Sequence, residues 1–274
     1  MTSNETKQVY FHVGLGKTGT TYIQYELFPK LKGIYYIQRT RYQNAHKIIS
    51  STSYPKYLVS REFDQQLPEE VAKFSKHYPD AKVIIVFRRH DSWIASQYRR
   101  FAKNGIHVDF NTFFDIDNNQ GQWKYDDLNY MAKLKIIEAH FSQKPLVLFQ
   151  EDLKVDPYGF FDKIAAYTGT TYDRKDISLD TVHASYEEKQ LKAVRKVSKY
   201  LFPAEEKYSR KTLRGWLQWR RIQLTSYAVM YTALLLPDSW FSDVELIPKA
   251  QLEKIRKHYA DDWEQVRAYA QENN

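Results

Sequence analysis

Lys17 lies in the stretch FHVGLGKTGTTYIQ, residues 11–24, with Gly16 before it, Thr18 and Gly19 after it, and Thr20 and Thr21 beyond. An apolar run leads in and a stretch with helical periodicity leads out. A strand–turn–helix of this kind aims backbone N–H groups and the positive end of a helix dipole at one point, which makes an anion site. Lys17 adds a full charge, and Thr18, Thr20 and Thr21 add hydroxyl donors. An ordinary turn with a surface lysine is the alternative, but glycine on both sides of the lysine followed by Thr-Thr favours the anion. The spacing is not that of the nucleoside-triphosphate loop G-x-x-x-x-G-K-[ST]. Gly16-Lys17-Thr18 fits its end, while Phe11 stands where the first glycine belongs.

An ATP-using enzyme of this architecture also holds Mg²⁺, partly through an aspartate at the end of a neighbouring strand. The strand-like run VIIVF ends instead in Arg88-Arg89. A cation there suits a second anion, so the expected ligand carries negative charge at two separated points, without Mg²⁺. The chain has no cysteine, and its 8 His show neither HExxH nor His-x-x-x-His spacing, so no metal site is expected.

The elements that must position these residues follow from apolar patterning. Strand-like runs rich in β-branched and aromatic residues occur at 8–14, 34–37, 56–60, 82–87 and 145–150. Helical patterns fall between them, at about 19–31, 66–77, 91–104 and 126–142. VIIVF and PLVLF are continuous rather than alternating, as strands buried on both faces are. Strands alternating with helices imply βαβ units. Beyond 150 the pattern is helical, at 157–168, 185–201, 212–235 and 248–272. The expected fold is one α/β domain over residues 1–274, a three-layer α/β/α arrangement with a parallel central sheet and a helical C-terminal portion.

The 274 residues suffice for a sizeable core, and 27% charged with 43% hydrophobic residues is a globular composition. A net charge of +8 admits nucleic acid, a membrane surface or a polyanionic small ligand. No basic arm or nucleic-acid motif is readable, so no nucleic-acid partner is expected. The short polar N-terminus runs directly into a strand, which makes cytoplasm the expected compartment.

Four segments carry a family resemblance. HVGLGKTGTTYIQ resembles the 5′-phosphosulfate loop of sulfotransferases that use 3′-phosphoadenylyl sulfate (PAPS). Arg88 and Ser96 in RRHDSWIAS match that family's R-x7-S signature. FQEDLKVDPYGFFDKIAAYTG looks like its YEDL-K-x-[DN]-P segment, and AQLEKIRKHYADDWEQVRAY looks like the last helix of bacterial members. The resemblance implies a P-loop nucleoside-triphosphate-hydrolase-like fold. It implies sulfuryl transfer from PAPS to a hydroxyl, with a sugar or glycolipid as the expected acceptor, adenosine 3′,5′-bisphosphate as product and no metal. It further implies that Gly16, Lys17, Thr18, Gly19, Thr20 and Thr21 hold the 5′-phosphosulfate and that Arg88 and Ser96 hold the 3′-phosphate. Lys17 is then the group expected to stabilise charge on the leaving oxygen.

The acceptor hydroxyl must lose a proton. Strand 56–60 is expected beside the first strand, and VSREFD at its end would face the same crevice. Several carbohydrate-type members of the family use Glu there, which selects Glu62 as base, against a surface carboxylate paired with Arg61. His46 and Glu26 are weaker rivals. His12 is expected to be a core histidine and His90 structural. Trp123-Lys124-Tyr125, Arg210, Lys211 and Arg214 are candidates for the acceptor side. Two other readings stay open: a P-loop kinase of small molecules, which needs Mg²⁺ and a carboxylate near the loop, and a non-enzymatic nucleotide- or RNA-binding module.

Residues 210–241 place basic residues and two Trp ahead of the apolar TSYAVMYTALLL, which is too short to span a bilayer. A core-packing helix is the favoured reading. The other is an interfacial helix in peripheral contact with an anionic membrane. Oligomeric state is not legible.

Overall fold

The computed structural model describes residues 7–179, 186–201, 212–241 and 243–274. The strands are β1 (Gln8–His12), β2 (Tyr35–Ile37), β3 (Lys56–Ser60), β4 (Lys82–Phe87) and β5 (Leu146–Phe149). The helices up to β5 are α1 (Thr20–Tyr22), α2 (Ala45–Ser51), α3 (Leu67–Ser75), α4 (His90–Lys103), α5 (Phe110–Phe113), α6 (Tyr125–Leu128) and α7 (Tyr130–His140). After it come α8 (Gln150–Val155), α9 (Pro157–Thr168), α10 (Glu188–Leu201), α11 (Leu213–Leu234), α12 (Lys249–His258) and α13 (Ala260–Asn273).

The chain forms two compact units. The first is Met1–His90, Asp126–Val182 and Tyr259–Asn274, and the second is Asp91–Tyr125 and His183–His258. The first holds the whole sheet, five strands in the order β2-β3-β1-β4-β5, all pairings parallel. Alternation along each strand sends side chains to both faces. Tyr10, Ile84, Val86 and Leu148 join Ile23, Leu27, Phe161 and Ile164 in the core on one face. On the other, Phe11 stacks on Phe74 of α3 at 3.8 Å and Phe87 on Tyr130 of α7 at 4.3 Å. Helices therefore cover both faces of a parallel sheet, as the continuous apolar runs require.

Three helical expectations break at identifiable residues. The segment expected as one helix over 19–31 is α1, then a π-turn over Ile23–Leu27, then a 3₁₀ turn over Phe28–Lys30 with Pro29 inside it. The pattern at 126–142 breaks at Asn129, whose side chain caps α7 by accepting from the Ala132 amide at 2.8 Å. The C-terminal pattern is two helices, α12 and α13, separated by the buried Tyr259.

The second unit is helical. Trp93 and Trp123 meet edge to face at 5.2 Å, and Tyr98 packs on Phe110 and Phe113. Trp123 is 4% exposed, so it is a core residue of this unit rather than a free lining for an acceptor. α11 buries Gly215, Ser226, Met230 and Ala233. Its apolar residues Leu213, Leu217, Leu224 and Tyr231 are exposed instead, so the expectation of an ordinary core-packing helix fails for that face. Among the described residues no helix is long and apolar enough to cross a membrane. Arg210 and Lys211 lie outside the described residues.

Candidate functional site

In the first unit, the connections from β1 run to β2 and β3 on one side, while β4 and β5 extend the sheet on the other. The loop after β1 therefore sits at the topological switch point, at the C-terminal edge where parallel sheets bind ligands. It is built tightly over the sheet. A Cβ on Gly14 would come within 2.7 Å of His12 Nε2 and 2.8 Å of Thr20 Cγ2, so only glycine lets the backbone pass there. Lys17 has φ +70° and Gly19 φ +85°, two left-handed residues in three positions. Such a run makes a concave row of amides suited to an anion. In Lys17 the conformation carries backbone strain at the residue singled out for chemistry.

The loop's donors are partly engaged within the protein. The Gly16 amide donates to Asp64 Oδ1 at 2.9 Å, and the buried Thr18 hydroxyl donates to Leu15 O at 2.7 Å. The Thr20 hydroxyl donates to Glu62 Oε1 at 2.5 Å. Thr21 is half-buried and Lys17 is exposed. β3 supplies Glu62 and Asp64 because it pairs with β1 through Ser60 opposite His12. The next amides continue the crossover, Arg61 N donating to His12 O and Phe63 N to Gly14 O. Glu62 thus reaches the loop, as expected. Arg61 donates to Arg39 O.

Arg88 follows β4 and touches the same loop, its Nη1 donating to Lys17 O at 3.2 Å. Its own carbonyl accepts from Tyr130 Oη at 2.6 Å, and the next amide, Arg89 N, donates to Glu151 Oε1 at 3.0 Å. Behind it His90 is buried between Tyr130 and Tyr259, with ring centroids at 4.0 and 4.6 Å, and pairs with Asp262 at 2.9 Å. Burial works to raise the pKa of Asp262. Hydrogen bonds from His90 and from the Met131 and Tyr130 amides outweigh it and hold the carboxyl below its usual range. His90 is structural, as expected. Ser96 is half-buried on α4, in the second unit.

The rival bases lie in other settings. Glu26 pairs with Lys30 at 2.6 Å, and that bond lowers its pKa. His46 is exposed, stacked on His77 at 4.3 Å and hydrogen-bonded to Tyr78 Oη. His12 is fully buried, with Nδ1 on Ser60 Oγ at 2.8 Å and a pKa pushed down to about 3 by burial. Its Nε2 has no hydrogen-bond partner among the described residues, so it is a core histidine satisfied on one side only.

Four residues at the site were missed by sequence reasoning: Asp64, Tyr130, Glu151 and Lys133. Lys133, on α7, is 6% exposed, and burial lowers its pKa while Asp127 and Asp64 oppose that shift. Asp64 had a readable signal, since it follows Glu62 by two residues beyond a strand. The other three are brought in by tertiary packing.

No family model matches the chain, and no curated protein does. Among solved structures it is similar to a sulfotransferase from Alicyclobacillus acidocaldarius, with 14% identity and a TM-score of 0.49, covering 85% of this chain and 98% of that one. It is also similar to mouse sulfotransferase SULT7A1 complexed with PAP, with 15% identity and a TM-score of 0.40, covering 62% of this chain and 61% of that one.

Proposed function

We propose that the protein is a PAPS-dependent sulfotransferase acting on a hydroxyl acceptor, with a sugar or glycolipid as the acceptor class. The observation that carries this reading is the convergence of Lys17, Glu62 and Arg88 on one loop at the C-terminal edge of a parallel sheet. The residues fit such a donor. The loop is a glycine-shaped concavity with left-handed residues at Lys17 and Gly19, and cations flank it. Gly16, Lys17, Thr18, Gly19, Thr20 and Thr21 would hold the 5′-phosphosulfate, chiefly through backbone amides, because the Thr18 and Thr20 hydroxyls already have acceptors. Arg88 would hold the 3′-phosphate by the planar fork of its guanidinium.

In the transfer, the acceptor oxygen bonds to sulfur as the bond from sulfur to the 5′-phosphate oxygen breaks. Lys17 offsets the charge that builds on that phosphate oxygen. Glu62 accepts the acceptor's proton, and the Thr20 hydroxyl fixes which oxygen of the carboxylate is turned from the acceptor. No step assigned to these residues calls on a metal. Incubation with sulfur-labelled PAPS and a panel of glycans and glycolipids tests the reading. Label transferred to a hydroxyl, and lost in Lys17→Ala, supports it; no transfer to any hydroxyl acceptor counts against it.

A second reading, phosphoryl transfer with Mg²⁺, gains support from Glu62 and Asp64, since two carboxylates do stand at the loop. Phe11 weighs against it. It is fully buried inside β1, where a triphosphate loop would need its first glycine and an open backbone.

A further inference from the structure

α11 presents an apolar stripe to solvent along its whole length. At the helical repeat of about 100° per residue, Leu213, Leu217, Leu224, Tyr231 and Leu235 fall on one side. Their exposures run from 53% at Leu217 to 85% at Leu235. The residues buried from this helix, Gly215, Ser226, Met230 and Ala233, lie on the opposite side. Proteins that stay monomeric in water rarely leave so long an apolar strip uncovered.

The charges on this helix are of one sign. Arg214, Arg220 and Arg221 are exposed beside the stripe, and the 22 residues include no Asp or Glu. Trp216 and Trp240 are 45% and 65% exposed near its two ends. Apolar residues facing out, arginines along the margins and Trp at the rims are the arrangement of a helix lying in a bilayer interface.

We propose that the outward face of α11 docks on an anionic lipid surface, lying flat with Leu217, Leu224 and Tyr231 toward the acyl chains. Arg220 and Arg221 extend sideways to the phosphates, as long cationic side chains do at an interface. A second copy of the chain suits this face less well. Parallel pairing sets arginine against arginine, and antiparallel pairing buries arginines against leucines, with no carboxylate on the helix to receive them in either case. Lipid phosphate supplies that charge.

Vesicle flotation of the full chain tests this, using phosphatidylcholine vesicles with and without about 30 mol% phosphatidylglycerol. Binding is expected to the anionic vesicles only, and to be lost at about 1 M salt, where the Debye length falls to about 3 Å. A juxtamembrane arginine contributes roughly fivefold in partition. Arg220→Ala with Arg221→Ala should therefore weaken binding roughly 25-fold. Leu217→Asp with Leu224→Asp should abolish it. All four side chains are solvent-exposed, and an unchanged circular-dichroism melt confirms that each variant is folded. No flotation with anionic vesicles at low salt overturns the proposal, as does unchanged binding by the double arginine variant. A dimer in sedimentation equilibrium that Leu224→Asp dissolves, without any vesicle binding, assigns the face to a second copy instead.

Discussion

The Thr20 hydroxyl donates to Glu62 Oε1 at 2.5 Å, tying the carboxylate that follows β3 to the loop that follows β1. The two residues are 42 apart in sequence and meet because β1 and β3 are parallel neighbours ending at the same edge. The bond places a carboxylate at the loop that carries Lys17. Glu62→Gln keeps shape and hydrogen bonding but takes no proton, so turnover should fall about 10²- to 10⁴-fold with bisphosphate affinity unchanged. Thr20→Val keeps the volume and frees the carboxylate, and roughly a tenfold loss of turnover is expected from one charge-assisted bond. Activity within a few-fold of wild type in Glu62→Gln would assign the base elsewhere.

Arg88 is held from two sides, by Lys17 O on its guanidinium and by Tyr130 Oη on its carbonyl. Arg88→Ala should weaken adenosine 3′,5′-bisphosphate binding about tenfold to 150-fold, the worth of one charge-assisted phosphate contact. Tyr130→Phe removes only the bond to the carbonyl, so a loss of a few-fold in the same titration is expected. Unchanged affinity in Arg88→Ala would remove this arginine from the donor site.

Much of this arrangement was legible in the chain, for reasons that also mark where legibility ends. VIIVF and PLVLF read as doubly covered strands because burial on both faces leaves no polar alternation, and both are strands. Lys17, Glu62 and Arg88 were legible together because each follows a strand of one parallel sheet. The broken helix after Gly19 was half legible, since Pro29 cannot continue a helix, while the π-turn over Ile23–Leu27 has no local signal. Tyr130 and Asp262 reach Arg88 and His90 from helices far away in sequence. Nothing in their own segments reports that contact. The outward face of α11 was misread because the same 3.6-residue period serves a buried face and an exposed one.

Lys17 occupies a left-handed conformation, φ +70°, that costs a non-glycine residue roughly 1–2 kcal/mol. Glycine accepts it freely and loses part of that gain through unfolded-chain entropy. Lys17→Gly should therefore be more stable than Lys17→Ala by about 1 kcal/mol in urea denaturation, while both lack activity. Equal stability of the two variants would mean that the strain is relieved in solution.

His12 gives a pH signature. Burial lowers its pKa from 6.5 to about 3, so the folded protein keeps it neutral while the unfolded chain takes up a proton. Its contribution is complete above the unfolded value and is lost progressively as pH falls toward the folded one. From neutral pH down to about pH 5 this one group should cost about 2 kcal/mol. His12→Asn, measured in parallel, should show a shallower loss over that range. A matching slope, or a protonated His12 ring by NMR at about pH 5 in the folded protein, would contradict the burial argument.

Which nucleotide the Lys17 loop and Arg88 hold is read by calorimetric titration of the protein with adenosine 3′,5′-bisphosphate and with ATP, each with and without Mg²⁺. The bisphosphate is expected to bind without dependence on Mg²⁺, more weakly in Arg88→Ala, and with no match from ATP. Tight binding of ATP that requires Mg²⁺, with no binding of the bisphosphate, would contradict the proposed function.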